Sequence, residues 1–503
     1  LSDDRNKDKT EAKDSVKAEK KAEKLVLDLE NTDDRTIRLT RFSGRLGDYY
    51  LTEDGGKLFY MTRTEQSSDL CVLDTKDRSV KVIARNTSGR IFPSPDGKYI
   101  YILSSGISRI DTGSEARKYV SFKGDFDYRP AREREYIFNH IWKQVAEKFY
   151  DKEIHNVDWE GYRDAYSRFL PYIDNNYDFQ EMLSEMLGEL NGSHTGARYY
   201  APSGPGMGTL GILYDDDYTG DGLRIKEVLK GGALETADPD IEAGDIITGI
   251  DGVRIEAGSD WYDMLVSRAG EKVLLTVKKA GKKEREIYVE PAGSDRDLLY
   301  RRWVRHNEEL VEELSEGRVG YVHVKGMDSP SFREVYSKLL GKYRGCEAVI
   351  VDTRHNGGGW LHDDLATLLS GKAYIRFEPR GQYIGTDPYN KWNRPSCVLI
   401  GEDNYSDACG FPYVYKTLGI GKLIGAPVPG TMTAVWWERQ IDPTLIFGIP
   451  QVGAIGIKEG RYIENMQIEP DILIYNDPAS VLKGRDIQLE TAVDEMLKTI
   501  GGK

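Results

Sequence analysis

The pattern of apolar and polar positions changes several times along the chain, and each change predicts a different kind of structure. Residues 1–35 are dominated by Lys, Glu, Asp and Ala, which indicates a charged linker. From 36 to 125, short apolar runs with alternating aromatic positions indicate β-strands. From 126 to 205, apolar residues recur at three- and four-residue intervals, as in amphipathic helices. This helical segment stops at Asn191-Gly192, a pair that commonly ends helices.

The strand region contains a repeat. The runs YYLTEDGGKLFYMT and IFPSPDGKYIYILS share an apolar entry, an Asp-Gly turn with Lys and an aromatic strand, and Asp54 and Asp96 lie 42 residues apart. A period near 40 with a hairpin in each unit is typical of β-propeller blades. Two blades cannot close a ring, and the chain begins with Leu1 rather than Met. We therefore expect the C-terminal part of a longer protein, or a propeller closed in another way.

Residues 206–295 return to short strands. Their order is a loop, a strand, a linker with a helix, the hairpin GDIITGIDG and a final hairpin, and this order resembles a PDZ domain. PDZ domains hold a terminal carboxylate in a nest of main-chain amides. The run GTLG is the candidate for this peptide-binding loop, and its residues are Gly208, Thr209, Leu210 and Gly211. A plain β-domain is the alternative.

Residues 296–503 alternate apolar strands with amphipathic helices. The runs RVGYVHV, CEAVIVDTR, SCVLIG and KLIGAP have the composition of strands, and helical patterns lie between them. This alternation indicates an α/β domain with a mainly parallel sheet, so the predicted fold class is multidomain α+β. Ligands of such sheets bind where strands end and helices begin.

Composition narrows the class of protein. With 503 residues, 39% of them hydrophobic, the chain can form several cores, which argues against wholesale disorder. The formal net charge is −14 with both signs mixed along most of the chain, so nucleic acid is not an expected partner. No run approaches the roughly 18 apolar residues of a membrane span. The four cysteines are too scattered for a disulfide framework and fit a reducing compartment.

The stretch NYSDACGFP places a serine at a strand-to-helix junction. The strand SCVLIG ends at Gly401, a short loop follows, and the residues after Ser406 have helical spacing. A serine there projects its hydroxyl into the cleft, beside main-chain N–H groups that favour an anionic intermediate. Ser406 is therefore a candidate nucleophile, although serine at this position also commonly caps a helix.

A serine nucleophile needs a base, and His194 is the candidate among seven histidines. It follows the helix stop inside the polar loop NGSHTGAR. His355 and His362 flank the run NGGGW and, with Asp363 and Asp364, suggest a metal, but no third ligand recurs at a zinc-like spacing, so no metal site is predicted. The remaining histidines lie in segments that indicate structural roles.

The run VDTRHNGGGW (351–360) leads an apolar strand into three glycines. Such a backbone can adopt unusual dihedrals and approach a substrate closely, as an oxyanion donor must. The run matches neither a dinucleotide-binding nor a phosphate-binding loop. A tight strand-to-helix turn is the simpler alternative.

Together these features resemble the tricorn core protease and its bacterial homologues, within the wider group that includes the C-terminal processing peptidases. They are the helical segment with Ser-His, the PDZ-like insert, D-x-R-x-N-G-G-G, SDACGFP and the glutamate-bearing RYIENMQIEPD. The resemblance extends from about residue 36 onward and implies a crotonase-like catalytic domain. It implies Ser406 as the nucleophile, His194 as the general base, and Ser193 and Glu464 as further members of a relay.

The same resemblance implies an oxyanion hole formed by the amide of Asp407 and by Gly358 or Gly359. It implies peptides or unfolded protein segments as substrate, no cofactor, a homo-oligomer and a cytoplasmic location, or a periplasmic or exported one if an upstream signal is missing. The chain departs from the family at Ala408 and Cys409, where relatives usually have Gly and Glu. This departure concerns the pocket beside the nucleophile.

Two other functions stay open at this point. The first is a PDZ-containing peptide-binding or scaffold protein in which the departures beside Ser406 accompany lost catalysis. The second is a Ser/Lys processing peptidase, for which Lys416 and Lys422 are the nearest lysines after the serine, at spacings that do not match the expected one.

Overall fold

The structure is a computed structural model that describes residues 29–40, 44–63, 67–125 and 127–501. The chain divides into two compact units, Leu1–Asp127 and Tyr128–Lys503. Most of the charged linker predicted over 1–35 lies outside the described residues, and the short helix α1 (Thr32–Arg35) falls at its end. Within the described ranges, we find no helix with both the length and the apolar character that a membrane crossing requires.

The first unit contains two four-stranded antiparallel sheets in which consecutive strands pair. The strands of the first sheet are β1 (Arg45–Leu51), β2 (Lys57–Arg63), β3 (Ser68–Asp74) and β4 (Val80–Ala84). Those of the second are β5 (Arg90–Pro93), β6 (Tyr99–Leu103), β7 (Ile107–Asp111) and β8 (Arg117–Val120). Apolar side chains from both sheets, including Phe59, Leu70 and Ile100, form one buried cluster. The sheets therefore stabilise each other.

The two hairpins that carry the sequence repeat use the same hydrogen bonds. The Asp54 carboxylate accepts from the Thr52 hydroxyl at 2.7 Å and from the main-chain amide two residues after Asp54 at 3.0 Å. The Asp96 carboxylate accepts from the Ser94 hydroxyl at 2.7 Å and from the corresponding amide at 3.2 Å. The repeat is thus also a structural repeat, whereas its membership of a β-propeller stays a prediction.

The second unit begins with helices followed by one strand. These elements are α2 (Pro130–Lys148), α3 (Trp159–Ser167), α4 (Asn176–Gly188) and β9 (Gly196–Tyr199). Helix α4 begins at an Asn175 cap, whose side chain accepts from the Asp178 amide, and buries Phe179, Leu183 and Leu187 on one face. After the helix ends, the chain turns through Asn191, at φ 46°, toward strand β9.

The PDZ-like region is a separate antiparallel sheet within the second unit. Its elements are β10 (Ile212–Tyr214), β11 (Leu223–Val228), α5 (Ala233–Ala237), β12 (Ile246–Ile250), β13 (Val253–Arg254), β14 (Val273–Lys278) and β15 (Arg285–Val289). The strand order is β10-β11-β12-β14-β15, and β13 pairs with β12. Ile225, Leu234 and Leu265 belong to its own apolar cluster. The region therefore has the core of a small domain.

The remaining residues form a layered α/β domain. Its helices are α6 (Arg296–Ser315), α7 (Ser329–Ser337), α8 (His362–Leu369), α9 (Asp407–Thr417), α10 (Pro478–Leu482) and α11 (Ile487–Gly501). Its strands are β16 (Val319–His323), β17 (Ala348–Asp352), β18 (Ile375–Phe377), β19 (Gly385–Asp387), β20 (Ser396–Ile400), β21 (Lys422–Gly425), β22 (Thr433–Arg439), β23 (Leu445–Gly453), β24 (Ile455–Gly456), β25 (Arg461–Tyr462) and β26 (Ile472–Leu473). The main sheet has the order β16-β17-β20-β21-β26, and all of its pairs are parallel. The predicted parallel sheet is confirmed.

A second sheet joins the helical segment to the α/β domain. Its order is β22-β23-β9, so β9, which precedes the PDZ-like region, pairs with β23 in the C-terminal part of the chain. Phe138 of α2, Phe179 of α4 and Phe447 of β23 are buried together beside it. This pairing brings the loop before β9, which contains His194, to the α/β domain.

Candidate active site

Ser406 lies at a sharp turn between strand β20 and helix α9. Its φ and ψ are 57° and −125°, a strained conformation typical of strand-to-helix turns that carry a nucleophile. The Ser406 main-chain N–H donates a hydrogen bond to the Thr431 hydroxyl at 2.9 Å, which holds the turn. The Ser406 side chain makes no capping hydrogen bond to α9. Helix capping therefore does not account for this serine.

Buried side chains support the turn from behind. The Asn404 side-chain amide donates to the Thr353 hydroxyl at 2.9 Å and to the Ala408 carbonyl at 3.1 Å. The Cys409 thiol lies 2.9 Å from the Thr431 hydroxyl, and burial raises its pKa to about 11, so the thiol is neutral. Ala408 and Cys409 are both fully buried in the core of the α/β domain. The departure from the family pattern is therefore accommodated in the core.

The glycine run lies against Ser406. Gly358 and Gly359 have φ values of 100° and 143°, which residues with side chains rarely adopt. A Cβ on Gly358 would lie 2.5 Å from the Cβ of Ser406, and one on Gly359 would lie 2.1 Å from the Met327 carbonyl oxygen. Neither position has space for a side chain, so glycine is required at both.

The amides of the two glycines differ in their hydrogen bonds. The Gly358 N–H donates to the Asn356 side-chain oxygen at 2.8 Å. Within the described residues, no acceptor is found for the main-chain N–H of Gly359 or of Asp407. Both Gly359 and Asp407 line the cavity that contains Ser406. These two amides are available to a substrate oxygen, whereas that of Gly358 is engaged.

The Asp407 side chain links the serine turn to the glycine run. Its carboxylate accepts hydrogen bonds from the main-chain amides of Leu361 at 2.5 Å and His362 at 3.0 Å. It also bonds to the His362 imidazole, and this hydrogen bond raises the pKa of His362. Asp407 is almost fully buried. Because one carboxylate holds both loops, the amides of Gly359 and Asp407 are fixed relative to each other.

Buried charges fix the beginning of the glycine run. The Arg354 guanidinium, itself buried, pairs with Asp352 at 2.7 Å and with Asp486 at 2.9 Å. Burial opposes the ionisation of Asp352, but Arg354 holds the pKa of that carboxyl below its usual value. The Asp and Arg of the D-x-R run therefore form a structural ion cluster beneath the site.

His194 has partners on both its backbone and its ring. Its main-chain N–H donates to the Tyr405 hydroxyl at 2.7 Å, and the two rings lie 4.7 Å apart between centroids. Its Nδ1 lies 2.7 Å from the Ser193 hydroxyl and 3.0 Å from the Thr433 hydroxyl. Burial lowers the pKa of His194 to about 4. The imidazole is therefore neutral at pH 7 and held by its Nδ1 side.

Glu464 contacts the same loop through the backbone. Its Oε1 accepts a hydrogen bond from the Ser193 main-chain N–H at 2.5 Å. Its Oε2 is buried and has no hydrogen-bond partner among the described residues. Burial raises the pKa of Glu464. The structure therefore brings Glu464, Ser193 and His194 together, but the carboxylate contacts the amide of Ser193 while the hydroxyl of Ser193 contacts the imidazole.

Ser406 and His194 line one cavity of about 540 Å³. Its lining also includes Gly359, Asp407 and Thr433. No hydrogen bond joins the Ser406 hydroxyl to the His194 imidazole in the part of the chain that the structure describes. The arrangement thus combines a serine hydroxyl, a neutral imidazole and two unengaged amides in a single cavity, as acyl transfer requires.

Comparison with known families agrees with this arrangement. Residues 130–188 match the tricorn protease C1 domain, residues 208–294 match the tricorn protease PDZ domain, and residues 318–474 match peptidase family S41. The chain is a tricorn relative with a family S41 peptidase domain. The S41 match contains Ser406, Asp407, Glu464 and the glycine run, whereas His194 lies between the C1 and PDZ matches.

Individual relatives give the same result. The chain is 27% identical over 461 residues to the tricorn protease homolog of Saccharolobus solfataricus, covering 85% of this chain and 42% of that protein. It is 30% identical over 382 residues to tricorn protease homolog 1 of Streptomyces coelicolor, covering 72% of this chain and 35% of that protein. The crystal structure of the tricorn protease superposes with a TM-score of 0.76 at 23% identity, covering 90% of this chain and 46% of that one. The chain thus spans less than half the length of these relatives.

The lysines considered for a Ser/Lys mechanism lie elsewhere in this tricorn relative. The Lys416 ammonium donates to the Glu469 carbonyl at 2.7 Å, and Lys422 pairs with Glu495 at 2.5 Å. Neither lysine lines the cavity that contains Ser406. The two histidines considered for a metal bond to different carboxylates: His355 pairs with Asp403, and His362 bonds to Asp407.

The GTLG run of the tricorn-type PDZ domain has most of its amides engaged. The N–H groups of Gly208 and Thr209 donate to main-chain carbonyls at 2.8 and 2.7 Å. The Gly211 N–H donates to the Asp295 carboxylate at 3.2 Å, and the Thr209 hydroxyl donates to the same carboxylate at 2.9 Å. Leu210 is buried in the domain core. In this structure Asp295 lies where the sequence predicts a peptide carboxylate, which argues against this run as an open nest.

Three site residues were missed by sequence reasoning. Thr431 and Thr433 bind the serine turn and the imidazole, and Tyr405 contacts His194. Tyr405 precedes the candidate serine, so its position was a usable signal. The two threonines lie in the run PGTMTA, which has no catalytic pattern of its own. Their roles follow only from the fold.

Proposed function

We propose that the chain is a serine endopeptidase of tricorn type that hydrolyses peptides or unfolded protein segments through an acyl-enzyme. One observation carries this proposal: Ser406, on a strained turn with its hydroxyl uncommitted, shares a cavity with the buried imidazole of His194. The S41 peptidase domain supports the reaction class. The substrate class rests on the resemblance to the tricorn proteases.

In the first step, the Ser406 hydroxyl attacks the carbonyl carbon of the scissile peptide bond. The Nδ1 of His194 faces the hydroxyls of Ser193 and Thr433, so the tautomer with hydrogen on Nδ1 leaves the Nε2 lone pair for the serine proton. Among the described residues, no hydrogen bond joins His194 to Ser406, and such contacts often form only with bound substrate. Substrate binding is therefore expected to bring Oγ and Nε2 into contact.

Glu464 and Ser193 would stabilise the imidazolium that forms. A buried neutral histidine is a weak base, as the lowered pKa of His194 shows, so a nearby negative charge is needed when the proton arrives. The Glu464 carboxylate lies on the amide of Ser193, the residue directly before His194. Its buried, unpartnered Oε2 is the available acceptor for the Ser193 hydroxyl if that side chain turns. Ser193 and Glu464 thus act as positioning residues in this proposal.

The oxyanion of the tetrahedral intermediate would lie between two main-chain amides. The unengaged N–H groups of Asp407 and Gly359 both line the cavity, and Asp407 also lies at the positive end of helix α9. The Gly358 N–H is committed to Asn356, so we assign Gly358 a steric role beside Ser406. His194 then gives the proton taken from Ser406 to the leaving amine, and the acyl-enzyme forms. In the second half, His194 takes a proton from the water that attacks the acyl carbonyl and passes it to the Ser406 oxygen as the acid is released.

A tricorn-type homo-oligomer and a cytoplasmic location are parts of this proposal that rest on the family resemblance. The chain spans less than half the length of these relatives. Neither part changes the chemistry assigned to Ser406 and His194.

Peptide hydrolysis tests the proposal. Wild-type protein and the Ser406→Ala, His194→Ala and Lys416→Met variants would be incubated with a fluorogenic peptide library and with an unfolded protein. We expect turnover by the wild type and by Lys416→Met, and a loss of at least about 10³-fold in the first two variants. Turnover that persists in Ser406→Ala, or that is lost in a folded Lys416→Met variant, would contradict the assignment.

A further inference from the structure

Arg198 is an exposed cation in the wall of the active-site cavity. It lies in strand β9, four residues after His194, and lines the same cavity as Ser406. Its guanidinium carbon lies 4.1 Å from the ring centroid of Trp437, which also lines the cavity. In the described part of the chain, no carboxylate pairs with Arg198. The proposed mechanism gives this residue no role.

The sheet is built to hold this cation on an aromatic face. Strands β9 and β22, which contain Arg198 and Trp437, lie on either side of β23. The middle strand, β23, contains Gly448, where a Cβ would lie 3.0 Å from the Trp437 ring and 2.4 Å from the His194 carbonyl oxygen. Glycine at this position thus lets the indole lie across the middle strand. Stacking on the indole favours one orientation of the guanidinium while its N–H donors stay available.

The other ionisable groups of the cavity wall are committed or neutral. The Asp407 carboxylate is buried and bound to the amides of Leu361 and His362. His194 is uncharged at neutral pH because burial lowers its pKa to about 4. The chain has 83 acidic residues against 69 basic ones, so an arginine without an acidic partner is not a consequence of scarce carboxylates. Within the described cavity wall, Arg198 is therefore the uncommitted charge that a bound peptide would meet.

We propose that Arg198 binds a carboxylate of the peptide substrate and so favours substrates with an acidic group near the scissile bond. This proposal rests on the proposed peptidase function. Four residues of chain span at most about 14 Å, which places the carboxylate within roughly four substrate residues of His194. Val435, Val452 and Ala454 give the cavity apolar walls, which suit uncharged side chains elsewhere on the peptide. The carboxylate is either an Asp or Glu side chain or the C-terminus of the substrate.

Binding to the inactive Ser406→Ala protein tests this without requiring turnover. Fluorescent octapeptides would carry one Glu at each position in turn, each with a matched Gln peptide, and each sequence would be made with a free and an amidated C-terminus. We expect at least one carboxylate to strengthen binding about tenfold, as a charge-assisted hydrogen bond does. A preference for Glu over Gln identifies a side-chain carboxylate, and a preference for the free acid over the amide identifies a terminal one.

Substitutions then assign the preference to Arg198. Added to the Ser406→Ala background, Arg198→Gln is expected to remove the preference and Arg198→Glu to reverse it toward Lys-bearing peptides. Arg163→Gln is the matched control, because Arg163 also stacks on an indole, that of Trp142 at 4.9 Å, but does not line the cavity. Three results would overturn the proposal. The first is equal binding of the Glu and Gln peptides together with equal binding of the free-acid and amidated C-termini. The others are a preference that survives Arg198→Gln and a lack of measurable binding of any acidic peptide.

The same peptides separate this proposal from the catalytic one. With wild-type serine, Arg198→Gln should lower kcat/KM for the preferred peptide about tenfold and leave neutral peptides unchanged. Its reaction with a small fluorophosphonate should equal that of the wild type. Failure of the peptidase proposal would abolish turnover and fluorophosphonate labelling in all proteins while leaving the binding preference measurable. Turnover without any carboxylate preference would overturn the role of Arg198 alone.

Discussion

The hydroxyl of Tyr405 accepts a hydrogen bond from the main-chain amide of His194 at 2.7 Å. The two residues are 211 positions apart in the chain, and Tyr405 directly precedes Ser406. The Tyr405 ring also packs against the imidazole, with 4.7 Å between centroids. One side chain therefore joins the loop of Ser406 to the loop of His194.

We expect Tyr405→Phe to slow acylation while preserving the fold. The substitution removes one hydrogen bond to the His194 amide, which should lower the free energy of unfolding by about 1 kcal/mol. The rate of fluorophosphonate labelling should fall roughly tenfold because the base loop loses its anchor. Tyr405→Ala also removes the ring contact and should be slower still. Tyr374→Phe, at an exposed site, is the control. An unchanged labelling rate in Tyr405→Phe would show that the Tyr405 hydroxyl does not position the base.

Adjacent glycines should respond differently to alanine. Gly358→Ala places a Cβ 2.5 Å from the Ser406 Cβ at a φ of 100°, so the turn must move and activity should fall by at least about 100-fold. A Cβ on Gly357 meets no atom within 4 Å, so Gly357→Ala should retain most activity. Peptide hydrolysis and thermal unfolding of both variants would check this pair. Equal activities in the two variants would contradict the packing described for Ser406.

Asp407→Asn tests the link between the two main-chain amides proposed as oxyanion donors. The asparagine keeps the main-chain amide of residue 407 but weakens the bonds to the amides of Leu361 and His362. We expect kcat to fall about 10- to 100-fold with little change in KM, because the loss concerns transition-state geometry. Asp403→Asn weakens an exposed pair with His355, which joins the same two segments without contacting the amides of Leu361 and His362, and serves as the control. An effect confined to KM would indicate a role in substrate binding instead.

As pH is lowered, activity should begin to decline only below the ordinary pKa of histidine. Burial lowers the pKa of His194 from 6.5 to about 4, so in the free protein the base stays neutral through mildly acidic pH. The labelling rate should therefore hold as pH falls below 6.5 and decline toward pH 4. The unfolded chain protonates His194 near 6.5, so its contribution to stability is full above that pH and is lost as pH falls toward 4. If the labelling rate already declines at or above pH 6.5, the charge of Glu464 has a larger effect on the pKa of His194 than burial has.

Much of the fold could be predicted because each region has a consistent local pattern. The Asp-Gly hairpins of the first unit, the helical spacing before Asn191 and the apolar strands of the parallel sheet are all local signals. Ser406 and the glycine run could be located for a related reason, since the ends of parallel strands are where such sheets place chemistry.

The parts that could not be predicted depend on contacts between distant segments. Strand β9 pairs with β23 across the whole PDZ-like region, and no local pattern encodes that partner. The same contact brings Thr433 to His194 and Trp437 to Arg198. The contact between Glu464 and the amide of Ser193, instead of its hydroxyl, likewise depends on side-chain orientation that a motif does not specify.

The most direct test is covalent labelling of the folded wild-type protein with a fluorophosphonate, followed by mass spectrometry of its peptides. The account predicts a single adduct on Ser406, formed by the wild type and reduced at least about 100-fold in His194→Ala at neutral pH. An adduct on another residue, no adduct on the folded protein, or an undiminished rate in His194→Ala would contradict the assignment of Ser406 and His194 as nucleophile and base.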